Sequence, residues 1–290
     1  MRLMTVRHAT TYQYARPVAF GQHRLMLRPR DSHDLRLVSA ELTLSPPGNV
    51  RWMHDVFGNS VALVDFQSAA DTLSIISTLK IERYSLDSIA FPIAPEAEFY
   101  PFQYSRGDRI DLGPLLKQRF GDPKRILARW ADSFVTTKPM RTLELLKSMN
   151  AALKPHIVYA ERHAPGTQSP AETLEKKTGA CRDFAMVLIE AARYLGFGAR
   201  FVSGYLYDPA LDKGNDTQAV AATHAWAEIY LPGAGWIEYD PTDVLIGHET
   251  LIRVAVTRDP AQAIPITGSY TGTPADFIAM NVEVAVTAQG

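Results

Sequence analysis

The chain has almost no cysteine. Among its 290 residues only Cys181 carries a thiol, so no disulfide can form within the chain. That excludes the disulfide-stabilised secreted scaffolds, and a four-cysteine zinc site with them. Charge imbalance is also missing. Thirty Lys and Arg against 31 Asp and Glu leave a formal net charge of −1, which argues against a nucleic acid or a charged membrane surface as partner. Long apolar runs are lacking too. The most apolar stretch, 184–202, is broken by Glu190, Arg193 and Arg200, and nothing approaches the roughly eighteen apolar residues of a spanning helix. Residues 1–8 contain no apolar core of signal-peptide length, and the expectation is a cytoplasmic protein. What remains, 46% hydrophobic and 21% charged, is ordinary globular composition, enough for one large domain or two modest ones.

Residues 1–90 alternate apolar with polar in short runs separated by turn residues. Strands are expected at 4–14, 23–30, 35–44, 50–55, 61–66 and 72–84, which predicts a small antiparallel sandwich or barrel. His8, His23 and His54 fall on these strands without any metal-ligand spacing, so they are read as satisfied or exposed histidines and no metal is assigned. Residues 91–110 are rich in proline and aromatics and read as an extended linker laid along a surface. Helical patterns follow at 112–118, at 123–131 with Asp122 as cap, and at 142–153. Then come a short strand at 157–159 and a short helix at 170–175.

Around Cys181, the residues Phe184, Val187, Leu188, Ala191 and Leu195 recur at helical spacing. Gly179 precedes the segment and Gly196 closes it, so the predicted helix has one apolar face and the cysteine in its first turn. A free cysteine is most often an inert buried hydrophobe. At a helix start, however, unpaired N–H groups and the macrodipole favour the thiolate. A strand at 199–207 follows, then a polar loop at 208–218, predicted to be mobile and to border the site. Next is a hairpin, 223–230 and 236–240, around Pro232-Gly233-Ala234-Gly235. If Tyr230 pairs with Trp236, then Trp226 faces Asp240, and His224 lies diagonally from Asp240 on the same face. A thiol needs a base, and a histidine serves near neutral pH when a carboxylate holds its other ring nitrogen. Cys181, His224 and Asp240 are therefore the candidate catalytic residues. Strands at 250–257 and 277–287 are expected to close the sheet.

On these residues the sequence resembles the transglutaminase-like superfamily, which belongs with the papain-like cysteine enzymes. The resemblance rests on Gly179-Ala180-Cys181-Arg182-Asp183-Phe184-Ala185, on 195–205, on His224-Ala225-Trp226-Ala227-Glu228 and on 235–242. The front of the chain is similar to the bacterial transglutaminase-like N-terminal region through Tyr12-Gln13-Tyr14, Leu27-Arg28-Pro29-Arg30 and Phe57-Gly58-Asn59. The resemblance implies nucleophile, base and orienting acid at Cys181, His224 and Asp240. It implies an α+β fold, an antiparallel β-sandwich-like domain (1–92), a linker (93–110) and a transglutaminase-like core with C-terminal strands (111–290). Asp243 and Thr257-Arg258-Asp259-Pro260 depart from the usual residues without touching the three.

The expected reaction is acyl transfer on a peptide or carboxamide through a thioester on Cys181. Hydrolysis is favoured, with protein-glutamine transamidation as the alternative and a non-catalytic binding module as the reading from another class. The partner is a peptide or protein substrate. No cofactor is expected, and no EF-hand calcium loop is found. Trp226 and Trp236 are candidates for lining an acyl-binding groove, or for core. Asp183 is read as a first-turn carboxylate favoured by the helix dipole.

Overall fold

The computed structural model describes residues 1–84, 91–162, 166–209, 220–221 and 223–289. Six strands open the chain: β1 (Arg2–Phe20), β2 (His23–Leu25), β3 (Leu35–Ser45), β4 (Gly48–His54), β5 (Ser60–Phe66) and β6 (Ala70–Arg83). All six coincide with the alternating runs, although β2 stops at Leu25, well before Pro29. They are divided between two antiparallel sheets, one containing β3, β6 and β1 and the other β2, β5 and β4. Tyr14, Val18, Leu25, Val64, Leu73 and Ile75 are buried between them. His8 and His23 are buried with hydrogen-bond partners, His8 to the Tyr205 hydroxyl at 3.0 Å and His23 to the Gly21 carbonyl at 2.9 Å; His54 is exposed.

The second half carries α1 (Arg106–Leu112), α2 (Ile126–Asp132), α3 (Thr142–His156), α4 (Pro170–Lys176) and α5 (Cys181–Tyr194). After them come β7 (Ala199–Leu206), β8 (Thr223–Leu231), β9 (Gly235–Asp240), β10 (Leu245–Ile246) and β11 (Leu251–Thr257). These strands form one antiparallel sheet in the order β10-β9-β8-β7-β11. Alternation along β8 turns Ala225, Ala227 and Ile229 toward α5, whose Phe184, Ala185 and Leu188 join the same core. The helix was expected to have one apolar face. In the structure every residue from Asp183 to Arg193 is buried, because α2, α3 and α4 pack against it as well. The helix expected at 112–118 instead occupies 106–112: Ser105 caps it, and Gly113-Pro114 turns the chain into one 3₁₀ turn.

One expected strand changes sheets. The segment 277–287, placed in the sheet of the cysteine helix, is β12 (Phe277–Gln289), and it pairs with β1 from Leu3↔Gln289 to Tyr14↔Phe277. Alternation identifies a strand but says nothing about its partner. The N-terminal sheets are therefore completed by the chain's last strand. The two halves meet across a charged layer. Asp34 and Arg83 pair at 2.5 Å, and Arg253 from β11 reaches Glu228 of β8 at 2.9 Å and Glu238 of β9 at 3.4 Å. Burial, partly countered by Arg253, pushes the Glu238 carboxyl up to about 7.

Residues 91–104 run over the core. Phe91, Ile93, Tyr100 and Phe102 pack on it, and the Tyr104 hydroxyl donates to the Tyr230 carbonyl at 2.7 Å. Among the described residues no helix is long and apolar enough to cross a membrane.

Candidate active site

Cys181 is the first residue of α5 and is half-buried. Two strands and a carboxylate set the chain up before it. The short segment Val158–Tyr159 pairs in parallel with Thr178–Gly179. Asp183, wholly buried, folds back to accept the N–H of Ala180 at 3.0 Å and the N–H of Gln168 at 2.8 Å. Gly179 makes room for this, since a Cβ there would meet the Asp183 Cβ at 2.9 Å. Asp183 is thus the clamp that shapes the turn into Cys181, a role beyond the favourable dipole position read from the sequence. Asp183→Ala would leave two buried N–H groups without acceptors and is expected to cost about 3 kcal/mol in urea unfolding. An unchanged urea midpoint would show that the carboxylate is dispensable.

The hairpin has the register that its parity predicted: Tyr230 pairs with Trp236 and Ala227 with Tyr239, which sets Trp226 opposite Asp240. His224 Nε2 lies 2.7 Å from Asp240 Oδ2. Asp240 is wholly buried, and its other oxygen accepts the N–H of Thr242 at 2.9 Å. Cys181 is close enough to the same histidine ring to help raise its pKa. The structure therefore joins His224 to Asp240 and leaves Cys181 near enough to influence the ring.

Burial alone would lower the pKa of His224. The hydrogen bond to Asp240 and the nearness of Cys181, with the charges behind them, outweigh it and raise the ring to about 10. At neutral pH the ring holds both protons. That is the form that can stabilise an anionic sulfur and later hand a proton to a leaving amine.

The tryptophans behave differently from one another. Trp226, read as a groove wall or as core, is fully buried among Val202, Leu251 and Val256, with its ring centroid 5.9 Å from that of His224. It backs the histidine and presents no surface to a ligand. Gly204 on β7 permits this packing: a Cβ there would lie 2.7 Å from Trp226 Cη2 and 2.1 Å from the Ile252 carbonyl oxygen. Trp236 is half-buried at the far end of β9, four residues from Asp240, or about 13 Å along a strand. The Arg200 guanidinium lies 4.0 Å from its ring centroid. Neither tryptophan stands at the sulfur.

Tyr159 comes nearer, since it pairs with Gly179 two residues before Cys181, and the sequence reading missed it. It is 54% exposed, and its phenol is pushed up by burial first and by the nearby Cys181 second. Only the pairing of 158–159 with 178–179 brings it close, and local sequence pattern cannot report that pairing. Asp243 is the other addition. One ligand-type atom from each of His224, Asp240 and Asp243 lies within 4.8 Å of the others, and Lys154 pairs with Asp243 at 3.6 Å. These three residues are the group that could hold a metal ion, although the His224–Asp240 hydrogen bond already uses one ligand atom of each. Most of the 208–218 loop lies outside the described residues.

Residues 4–82 match the bacterial transglutaminase-like N-terminal region, and residues 128–241 match the transglutaminase-like superfamily. The chain is similar to that superfamily over 128–241. The second match contains Cys181, His224 and Asp240. An uncharacterised protein of Mycobacterium tuberculosis is 29% identical over 96% of this chain and 91% of its own length. One of Mycobacterium leprae is 26% identical over 97% and 98%. A solved structure of a proposed cysteine protease from Cytophaga hutchinsonii shares the fold at a TM-score of 0.71, with 21% identity, 98% coverage of this chain and 90% of that one. The mixed α+β architecture with its mostly antiparallel sheets is shared with that solved structure, and the superfamily match supports an enzyme that works through a thiol.

Proposed function

We propose that the protein hydrolyses peptide or carboxamide bonds through a thioester on Cys181. The sulfur attacks the carbonyl carbon, and the backbone N–H of Cys181, free at the helix start, faces the developing oxyanion. His224 gives its proton to the departing amine. Neutral His224 then takes a proton from water, whose oxygen attacks the thioester, and the acid leaves as the sulfur and imidazolium are restored. Asp240 keeps the ring oriented and balances its charge throughout. The observation that carries this reading is His224 hydrogen-bonded to a buried carboxylate, with the chain's single thiol close enough to help raise the ring's pKa.

Transamidation is the second reading, favoured by Asp243, whose carboxylate beside His224 would attract a cationic amine as acceptor. One experiment addresses both. The protein is incubated with a peptide library, quenched in acid and digested, and adducts on Cys181 are identified by mass. An acyl adduct that yields free acid in water is the expected result. An adduct that transfers to a labelled primary amine faster than to water would replace hydrolysis with transamidation, and a Cys181 that never acquires an acyl group would end both.

A further inference from the structure

Strand β4 ends its sheet: β5 pairs with it on one side, and no strand pairs with the other among the described residues. Six of its seven residues are exposed, Val50, Trp52 and Met53 among them. An open edge with apolar side chains is one that proteins usually cover or blunt. Beside it is a cleft of about 440 Å³, lined by Arg28, Arg30, Asp31, Trp52, Met53 and His54 among others. The Arg28 guanidinium stands 5.3 Å from the Trp52 ring centroid, and Arg30 donates to the Gly58 carbonyl at 2.8 Å. Neither arginine has a carboxylate partner among the described residues, and Asp31 is the one acid in the lining.

We propose that β4 and this cleft bind an extended acidic segment of a protein partner by strand addition. Backbone groups of the segment would pair with the open edge of β4, and its carboxylates would meet Arg28 and Arg30. Since Arg28 lies over Trp52, the carboxylates would lie on that face of the strand, and the apolar side chains at alternate positions would lie on the other face, beside Met53. A second copy of this chain is a poor occupant, since β4 against β4 would set Arg28, Arg30 and Arg51 of each copy near their equivalents.

The position also reaches the candidate active site. The turn that follows β4 sends Phe57 into the cluster around Trp226, and Asn59 exchanges hydrogen bonds with Val256 of β11 at 2.7 and 2.9 Å. A segment seated on β4 would therefore lie on the hairpin that supports the wall behind His224. The proposal does not depend on the thiol reaction, so its test uses Cys181→Ala protein, which cannot turn over.

The probe is a fluorescein-labelled peptide of alternating glutamate and valine, followed by anisotropy. Saturable binding is expected, weakening with added salt and falling at least tenfold in Arg28→Glu and in Trp52→Ala. Both positions are solvent-accessible, and an unchanged thermal midpoint verifies each variant. The same peptide N-methylated at alternate residues should lose binding, and a lysine–valine peptide should not bind. Failure of the acidic peptide to saturate would overturn the proposal. So would equal binding by the lysine peptide, by the N-methylated peptide or by both variants. A dimer in sedimentation that dissociates on Trp52→Ala would assign the edge to a second copy instead.

Discussion

Iodoacetamide is expected to alkylate Cys181 at pH 6 about a hundredfold faster than it alkylates an unassisted thiol, and His224→Ala is expected to remove most of that advantage. An ordinary thiol at this pH is less than about 1% thiolate. Here the sulfur faces a ring that keeps its proton, because His224 is raised to about 10 against the opposing effect of burial. Substituting Asp240 with Asn should slow the reaction less than removing the ring, since the amide still accepts a hydrogen bond but carries no charge. The same ring sets a stability trend. In the unfolded chain it titrates near its ordinary value of about 6.5. The folded protein therefore binds the extra proton between about 6.5 and about 10. That contribution is complete below the lower value and is lost as pH rises through the upper one. Wild type should lose stability relative to His224→Gln as pH climbs from 6 to 10. A gap that stays constant over this range, with alkylation unaffected by His224→Ala, would mean that the ring and the sulfur do not act as a pair.

Local periodicity revealed most of the elements. The six N-terminal strands, the cysteine helix and the hairpin lie close to where alternation and helical spacing predict them, because each buries a face whose period is written in consecutive residues. The hairpin register was legible for the same reason. Two glycines and a proline fix the turn, and parity then brings His224 and Asp240 to one face. Pairings between distant segments were not legible. Nothing local to 277–289 says that it pairs with β1 rather than with the sheet beside α5, and nothing near Tyr159 says that Thr178–Gly179 draws it toward the sulfur. Trp226 stayed open between groove and core for a related reason: alternation gives it a face, but the cover on that face comes from Phe57 and Leu251, far away in the chain.

The largest stability effect is expected at Glu190, one of the charges that interrupts the apolar run after Cys181. Glu190 and Arg193 are both buried, 2.7 Å apart, on α5. The second carboxylate oxygen of Glu190 accepts the N–H groups of Arg119 and Phe120 at 2.7 and 3.0 Å. Arg193 donates to the carbonyls of Leu115, Ala199 and Arg258. Burial lowers the guanidinium's pKa, and Glu190 opposes that effect. The pair ties α5 to the 113–120 segment, to β7 and to the chain beyond β11. Glu190→Ala would strand a buried cation and two N–H groups, and a loss of about 3–5 kcal/mol is expected in urea unfolding. Replacing both residues together, Glu190→Leu with Arg193→Met, should cost less than the sum of the two single changes, because no unpaired charge is left behind, although the backbone partners of both side chains still lose their bonds. If the single and double changes were additive, the pair would not be the unit that holds the helix. Asp183 fixes the first turn of α5 and this pair fixes its last, so polar groups immobilise both ends of a helix whose middle is apolar. The stiffness of that helix is what keeps Cys181 in register with a histidine on a different strand.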